Sequence, residues 1–206
     1  MSDNKGYLIL GAALGIIFLM TRSDNKKVLL SQFINPASVA NIAAQLPASE
    51  DDFIIAAHQY VTDHVRYDGF ETTIRLTPDY ILCQKCYLPV TVLNRGISNC
   101  VGMSVLLESI LRNRIPASRT YMVVGQLHQA DSGGHCWVIV DRGGIWYLLE
   151  STRPPAGWNK QADLENTYEP EALVNDTELI CMDPELCVNI KRVRCSCNQT
   201  VPQLLY

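Results

Sequence analysis

Three side chains in this chain of 206 residues are of types that together do nucleophilic chemistry: Cys100, His135 and Glu150. Cys100, in "RGISNCVGM", follows a Gly-containing turn and falls in the first turn of an expected helix, with Asn99 or Ser98 as its cap. Free N–H groups and the positive dipole end there stabilise a thiolate. His135 and Glu150 bound "HCWVIVDRGGIWYLLE", two apolar runs around a glycine turn that read as a hairpin. If Asp141 to Gly144 form a four-residue loop, Val140 pairs with Ile145 and His135 lies directly opposite Glu150. Opposed Cβ atoms are roughly 4.5–5.5 Å apart, whereas a one-residue slip would put the two on opposite faces. A carboxylate on one ring nitrogen fixes the tautomer and stabilises the imidazolium, and such a pair can take the proton of a thiol. The bland readings are a solvated ion pair at a strand end and a buried helix-start cysteine.

Other candidates carry less. His128 is placed by strand alternation near the same cleft but has no matching acid in sequence, and Cys136 is expected to point to the opposite face from His135, into the core. Gln84 and Asn94 are candidate oxyanion donors beside the Cys100 N–H. Trp137 and Trp146 read as core or cleft wall, and His58 and His64, six positions apart on one helix, as packing or surface residues rather than ligands. The cysteines stand at 83, 86, 100, 136, 181, 187, 195 and 197. Disulfides and buried thiols compete there with a structural zinc on Cys83, Cys86, Cys195 and Cys197, although C-x-C is not a common zinc knuckle. No other cofactor is expected.

The elements that must position these groups follow from periodicity. "SEDDFIIAAHQYVTDHVRY" opens with a Ser cap and acidic residues, and Phe53, Ala57, Val61 and Val65 repeat at helical spacing. A second helix is expected over about 99–114, with Val101, Val105, Leu106, Ile110 and Leu111 on its apolar face and Pro116 as its stop. "SRTYMVVGQLHQ" reads as a strand before the hairpin, 68–99 as loop-rich, and "ELICMD" and "CVNIKRVRCSC" as further strands. Helices followed by antiparallel strands indicate an α+β fold.

A hydrophobic fraction of 48% with 18% charged residues is that of a globular chain. The net charge of −4, and a basic cluster limited to "KRVR", argue against nucleic acid as a partner. Residues 6–21, "GYLILGAALGIIFLMT", are uncharged and apolar; as a helix they would reach roughly 24 Å at 1.5 Å per residue. A membrane anchor is preferred over a secretory signal, for which no A-x-A-like site follows, and over a core helix. The domain plan is then an N-terminal segment over 1–21, a linker over 22–47 and a catalytic domain over 48–206. Lys5 before the segment and Arg22, Lys26 and Lys27 after it give a weak bias toward a cytoplasmic domain.

The elements "RGISNC", "LLESILRNRIPASR", "GGHCWVIV" and "GGIWYLLEST" resemble, in order and context, the transglutaminase-like superfamily of papain-related cysteine enzymes. The resemblance spans about residues 50–155. It implies a nucleophile helix packed on an antiparallel sheet, with Cys100 as nucleophile, His135 as base and Glu150 as orienting acid. It also implies a protein or peptide substrate, cleaved by a peptidase or amidase. A protein-glutamine transglutaminase and an inactive binding module are the alternatives. Relatives usually have Asp where this chain has Glu150, so in direct opposition to His135 the extra methylene would have to bend aside. Relatives also often flank the cysteine with an acidic residue, where this chain has Asn99 and Val101.

Overall fold

A computed structural model describes residues 30–68, 73–77, 80–84, 86–128, 133–152, 157–164 and 166–182, with the side chains of 73–77 and 80–84 left undescribed. The apolar segment 6–21 and the strand expected at 187–197 lie outside these residues. Among the described residues no helix is long and apolar enough to cross a membrane.

Two 3-10 turns, Leu30–Phe33 and Pro36–Val39, lead into helix α1, Ala40–Gln45. Leu30, Ile34, Val39, Ile42 and Ala43 are buried, so from Leu30 onward the stretch expected as linker contributes to the core. Helix α2, Glu50–His64, starts where the Ser49 hydroxyl accepts the Asp52 N–H and carries three acidic residues in its first turn. Phe53, Ala57 and Val61 line its buried stripe, as their spacing predicts. Next come the short strand β1, Arg66–Tyr67, and the hairpin β2, Thr73–Thr77, with β3, Tyr80–Gln84. Helix α3, Pro89–Arg95, has Pro89 at its first turn and ends on Gly96 at φ 63°. The region expected as loop thus contains a hairpin and a helix. Proline, which reads as a turn signal, is equally at home in the first turn of a helix.

Strand β4, Ile97–Ser98, pairs in parallel with β1 and leads directly into helix α4, Cys100–Leu111. Every residue of α4 from Val101 to Leu111 is buried, so the helix is enclosed rather than amphipathic. It ends before Arg112 and Arg114, which hold neighbouring segments instead of extending it. Arg112 Nη1 bonds the Ile115 carbonyl and its Nε meets Asp176 at 2.6 Å, while Arg114 Nη2 donates to the Leu46 carbonyl at 3.2 Å.

Strands β5 (Thr120–Leu127), β6 (Gly133–Arg142), β7 (Ile145–Leu149), β8 (Asn159–Lys160), β9 (Tyr168–Val174) and β10 (Leu179–Cys181) form one antiparallel sheet in the order β10-β9-β5-β6-β7-β8. Alternation along β6 divides the core. Val138 and Val140 pack with α2 and α4, and Cys136 with Val101 and Val105, whereas Trp137 and Ile139 pack on the other face with Tyr121, Leu148 and Tyr168. Strand β9 has no counterpart among the sequence expectations. "YEPEALV" holds an internal proline, which argues against a strand. The sheet accommodates it at a register shift, where Pro170 faces Gly125. A Cβ on Gly125 would stand 2.1 Å from the Glu169 carbonyl oxygen, so glycine there lets β9 approach β5.

The β6–β7 turn also differs from expectation. Gly143 and Gly144 alone form it, at φ 64° and 85°, the two positive values of a type I′ hairpin turn. Arg142 pairs with Ile145 and Val140 with Tyr147, a register two residues away from the expected one. A shift of two keeps every side chain on its face. Continued past Val138 and Leu149, it sets Glu150 beside Trp137 and makes His135 a diagonal neighbour instead of a direct one.

Candidate active site

Cys100 is fixed by the start of α4. The Asn99 side chain accepts the Gly102 N–H at 3.2 Å, a cap worth about 1 kcal/mol. Gly102 itself has no room for a side chain, since a Cβ there would lie 2.0 Å from Ser98 Oγ. His135 is the third residue of β6, and Glu150 is the residue just after β7. Both are buried, at 8% and 7% exposure, while Cys100 is half-buried.

The three are brought together. His135 Nε2 lies 2.7 Å from Glu150 Oε2, and Cys100 is close enough to His135 for each to shift the pKa of the other. Glu150 has further partners: its Oε1 accepts the Thr152 N–H at 2.9 Å and the Thr152 hydroxyl at 2.6 Å, and its Oε2 accepts the Tyr168 hydroxyl at 3.0 Å. Burial opposes ionisation of Glu150, but the hydrogen bonds and charge of His135 and the two bonds from Thr152 hold its carboxyl below the usual range. Burial likewise works against a charged His135, yet hydrogen bonds and charge from Cys100 and Glu150 raise it to about 9.

Cys136 takes part in a way that strand alternation alone does not reveal. It is buried in the core among Val101, Val105 and Met122, as expected, and Cys100 packs against the same cluster. The neighbouring Cys136 thiol is the largest influence lowering Cys100, which settles at about 5 with the help of His135 and against the effect of burial. Cys136 itself is pushed well up by burial and by the charge of Cys100, so it stays a thiol and a donor.

The other candidates fall elsewhere. His128 has a partner after all: its Nε2 lies 2.6 Å from Glu169 Oε2, with both side chains about half exposed. The acid comes from β9, the strand the sequence reading lacks. Asn94 is exposed on α3, and the side chain of Gln84 lies outside the described residues. Trp137 is wholly buried, its ring nitrogen donating to Gln161 Oε1 at 3.1 Å, and Trp146 is 6% exposed, so both are core residues. His64 stacks on Tyr60 at the surface. His58 is buried near the Glu150 backbone, and burial pushes its pKa down.

Of the four cysteines of the zinc alternative, Cys86 is disulfide-bonded. The Cys83 side chain, Cys195 and Cys197 lie outside the described residues. No group of three or more His, Cys, Asp or Glu side chains suited to a metal occurs among the described residues.

Sequence comparison finds no matching family model and no matching curated protein. Structure comparison does find solved chains of similar fold. LapG of Legionella pneumophila superposes with a TM-score of 0.51 at 12% identity, covering 69% of this chain and 75% of that one. A Cytophaga hutchinsonii chain described as a candidate cysteine protease gives 0.43 at 14% identity, over 65% of this chain and 44% of that one. A transglutaminase gives 0.38 at 20% identity, over 76% and 40%. At these identities the likeness to LapG is one of fold alone, with a buried helix against an antiparallel sheet in this chain.

Proposed function

We propose that this protein is a thiol enzyme acting on amide or peptide bonds, with Cys100 as nucleophile, His135 as base and acid, and Glu150 as the acid that orients His135. The observation that carries the reading is the buried 2.7 Å contact between His135 and Glu150 beside a cysteine at a helix N-terminus. With Nε2 engaged by the carboxylate, Nδ1 is the nitrogen that exchanges a proton with Cys100.

With Cys100 lowered to about 5 and His135 raised to about 9, the resting pair at neutral pH is thiolate and imidazolium. The thiolate adds to the substrate carbonyl, and the Cys100 N–H at the helix start is placed to donate to the resulting oxyanion. As the C–N bond breaks, the imidazolium gives its proton to the leaving amine and a thioester remains. Neutral His135 then takes a proton from water, which attacks the thioester and releases a carboxylic acid. An amine in place of water would give transamidation. We favour hydrolysis, with a protein or peptide as substrate.

The test begins with iodoacetamide at pH 6, where an ordinary thiol is almost wholly protonated. Cys100 should be alkylated selectively, and His135→Ala should remove that selectivity. Cleavage of a casein or fluorogenic peptide library, lost in Cys100→Ala, identifies a hydrolase, whereas incorporation of a fluorescent amine into casein identifies a transglutaminase. Alkylation of Cys100 no faster than that of free cysteine would leave only the inactive binding module.

A further inference from the structure

The two-residue turn at Gly143 and Gly144 changes what a glutamate at position 150 means. Diagonal neighbours across an antiparallel pair are roughly 7–8 Å apart, against about 5 Å for direct ones. An aspartate at 150 would stop short of an imidazole displaced in this way, and the additional methylene of glutamate spans the difference. The longer side chain is also more mobile, and a carboxylate that orients a base must be held at both oxygens.

The structure supplies that hold from two places. Thr152, in the turn after β7, bonds Oε1 through both its N–H, at 2.9 Å, and its hydroxyl, at 2.6 Å. Tyr168, the first residue of β9, bonds Oε2 at 3.0 Å alongside His135 at 2.7 Å. The four bonds match the roughly four lone-pair sites of an ionised carboxylate. Tyr168 is itself fixed: it is 5% exposed, its ring stands edge-on to Trp137 at 5.2 Å, and its carbonyl accepts a bond from Gln161 Nε2 at 3.3 Å.

We propose that Thr152 and Tyr168 are positioning residues that fix Glu150 against His135, making this a site built for the length of a glutamate. The inference rests on the triad reading above and deepens it. Neither residue touches the reacting atoms, so each acts only through the carboxylate. The ionisable groups around that carboxylate are His58 from α2, Cys100 from α4, His135 and Cys136 from β6, and Tyr168 from β9, with Glu171 of β9 acting on Cys136.

The readout is the pH dependence of Cys100 alkylation by iodoacetamide, measured on the full-length protein by peptide mass spectrometry. It reports the thiolate without requiring a known substrate. If Thr152 and Tyr168 position Glu150, then Thr152→Val and Tyr168→Phe leave the imidazolium less stabilised. Alkylation should then begin at higher pH, the midpoint of the profile rising by about one unit and the rate at pH 6 falling about twofold. Thr152→Ser, which keeps the hydroxyl, should behave as wild type, and Glu150→Asp should shift as the two loss variants do. A profile that is unchanged in Tyr168→Phe and Thr152→Val would overturn the proposal. So would a shift to lower pH, because withdrawing donors from a carboxylate that stays in place makes it a stronger partner for the imidazolium. Glu150→Asp at wild-type rate would equally show that the length of the side chain is immaterial. If wild-type Cys100 is not activated at pH 6, the triad reading fails and takes this inference with it. An activated wild type with unmoved variants removes the positioning role alone.

Discussion

Burial by itself would raise the Cys100 thiol, so the lowered value depends on the groups pointed at its sulfur. The first of these is Cys136, held a thiol by its own burial and therefore able to donate. Cys136→Ala removes that donor and leaves His135 and Glu150 in place. The expected result is a Cys100 alkylation profile whose midpoint rises by about one pH unit, with a rate at pH 6 about twofold lower; an unshifted profile would assign the activation to His135 alone. The pH window also follows from signs. Cys100 is lowered to about 5 and His135 raised to about 9, so the thiolate–imidazolium pair exists between those values and is lost to protonation of sulfur below and deprotonation of the ring above. Cys100, His135 and Glu150 could all be named from the sequence, because residue type and context carry that information. Tyr168 could not, since nothing local connects it to Glu150. Thr152 could have been, because it stands two residues from the carboxylate it holds.

Helix α4 is the element on which the site depends, and it contains one costly residue. Glu108 is fully buried inside it, bonded to the Thr120 hydroxyl at 2.7 Å, with its other oxygen unpaired. Burial raises its pKa to about 8 despite the Thr120 bond and the Arg112 charge. The folded state therefore keeps a proton that the unfolded chain releases near its ordinary value of 4.5. With fewer protons on the unfolded chain, stability is greatest below that value and falls as pH rises toward about 8. The slope in this window is on the order of 1 kcal/mol per pH unit. Glu108→Gln should flatten this dependence and be more stable than wild type at pH 7.5, measured by urea unfolding at pH 5.5 and 7.5. Parallel pH dependence in the two proteins would mean that Glu108 ionises without cost. The helix itself was legible as a run of apolar residues closed by proline. Its enclosure on all sides was not, because Leu30, Val39 and the sheet that cover it come from distant parts of the chain.

At the scale of the molecule, the described residues form a body whose helices cover one face of a six-stranded sheet. Ahead of it in sequence are the apolar residues 6–21, which we propose tether the protein to a membrane. The full-length chain should remain in the membrane pellet after an alkaline carbonate wash. Leu14→Arg with Ile17→Arg, at about 3 kcal/mol per charge in a bilayer centre, should release it to the supernatant with Cys100 still reactive. Equal recovery of both forms in the soluble fraction would dismiss the anchor.

Local chemistry is written in the sequence: a capped helix start sets a cysteine in its first turn, a glycine turn makes a hairpin, and alternation assigns side chains to faces. These depend on neighbours within a few residues, so the α+β class and the identities of Cys100, His135 and Glu150 follow from order and spacing. Tertiary structure decided the rest. The turn type moved the hairpin register by two residues, which kept His135 and Glu150 on one face but made them diagonal. Strand β9, with a proline tolerated only because Gly125 gives it room, brought Tyr168 to the carboxylate and Glu169 to His128. Contacts between residues far apart in sequence arise from the packing of whole elements, and no spacing along the chain encodes them.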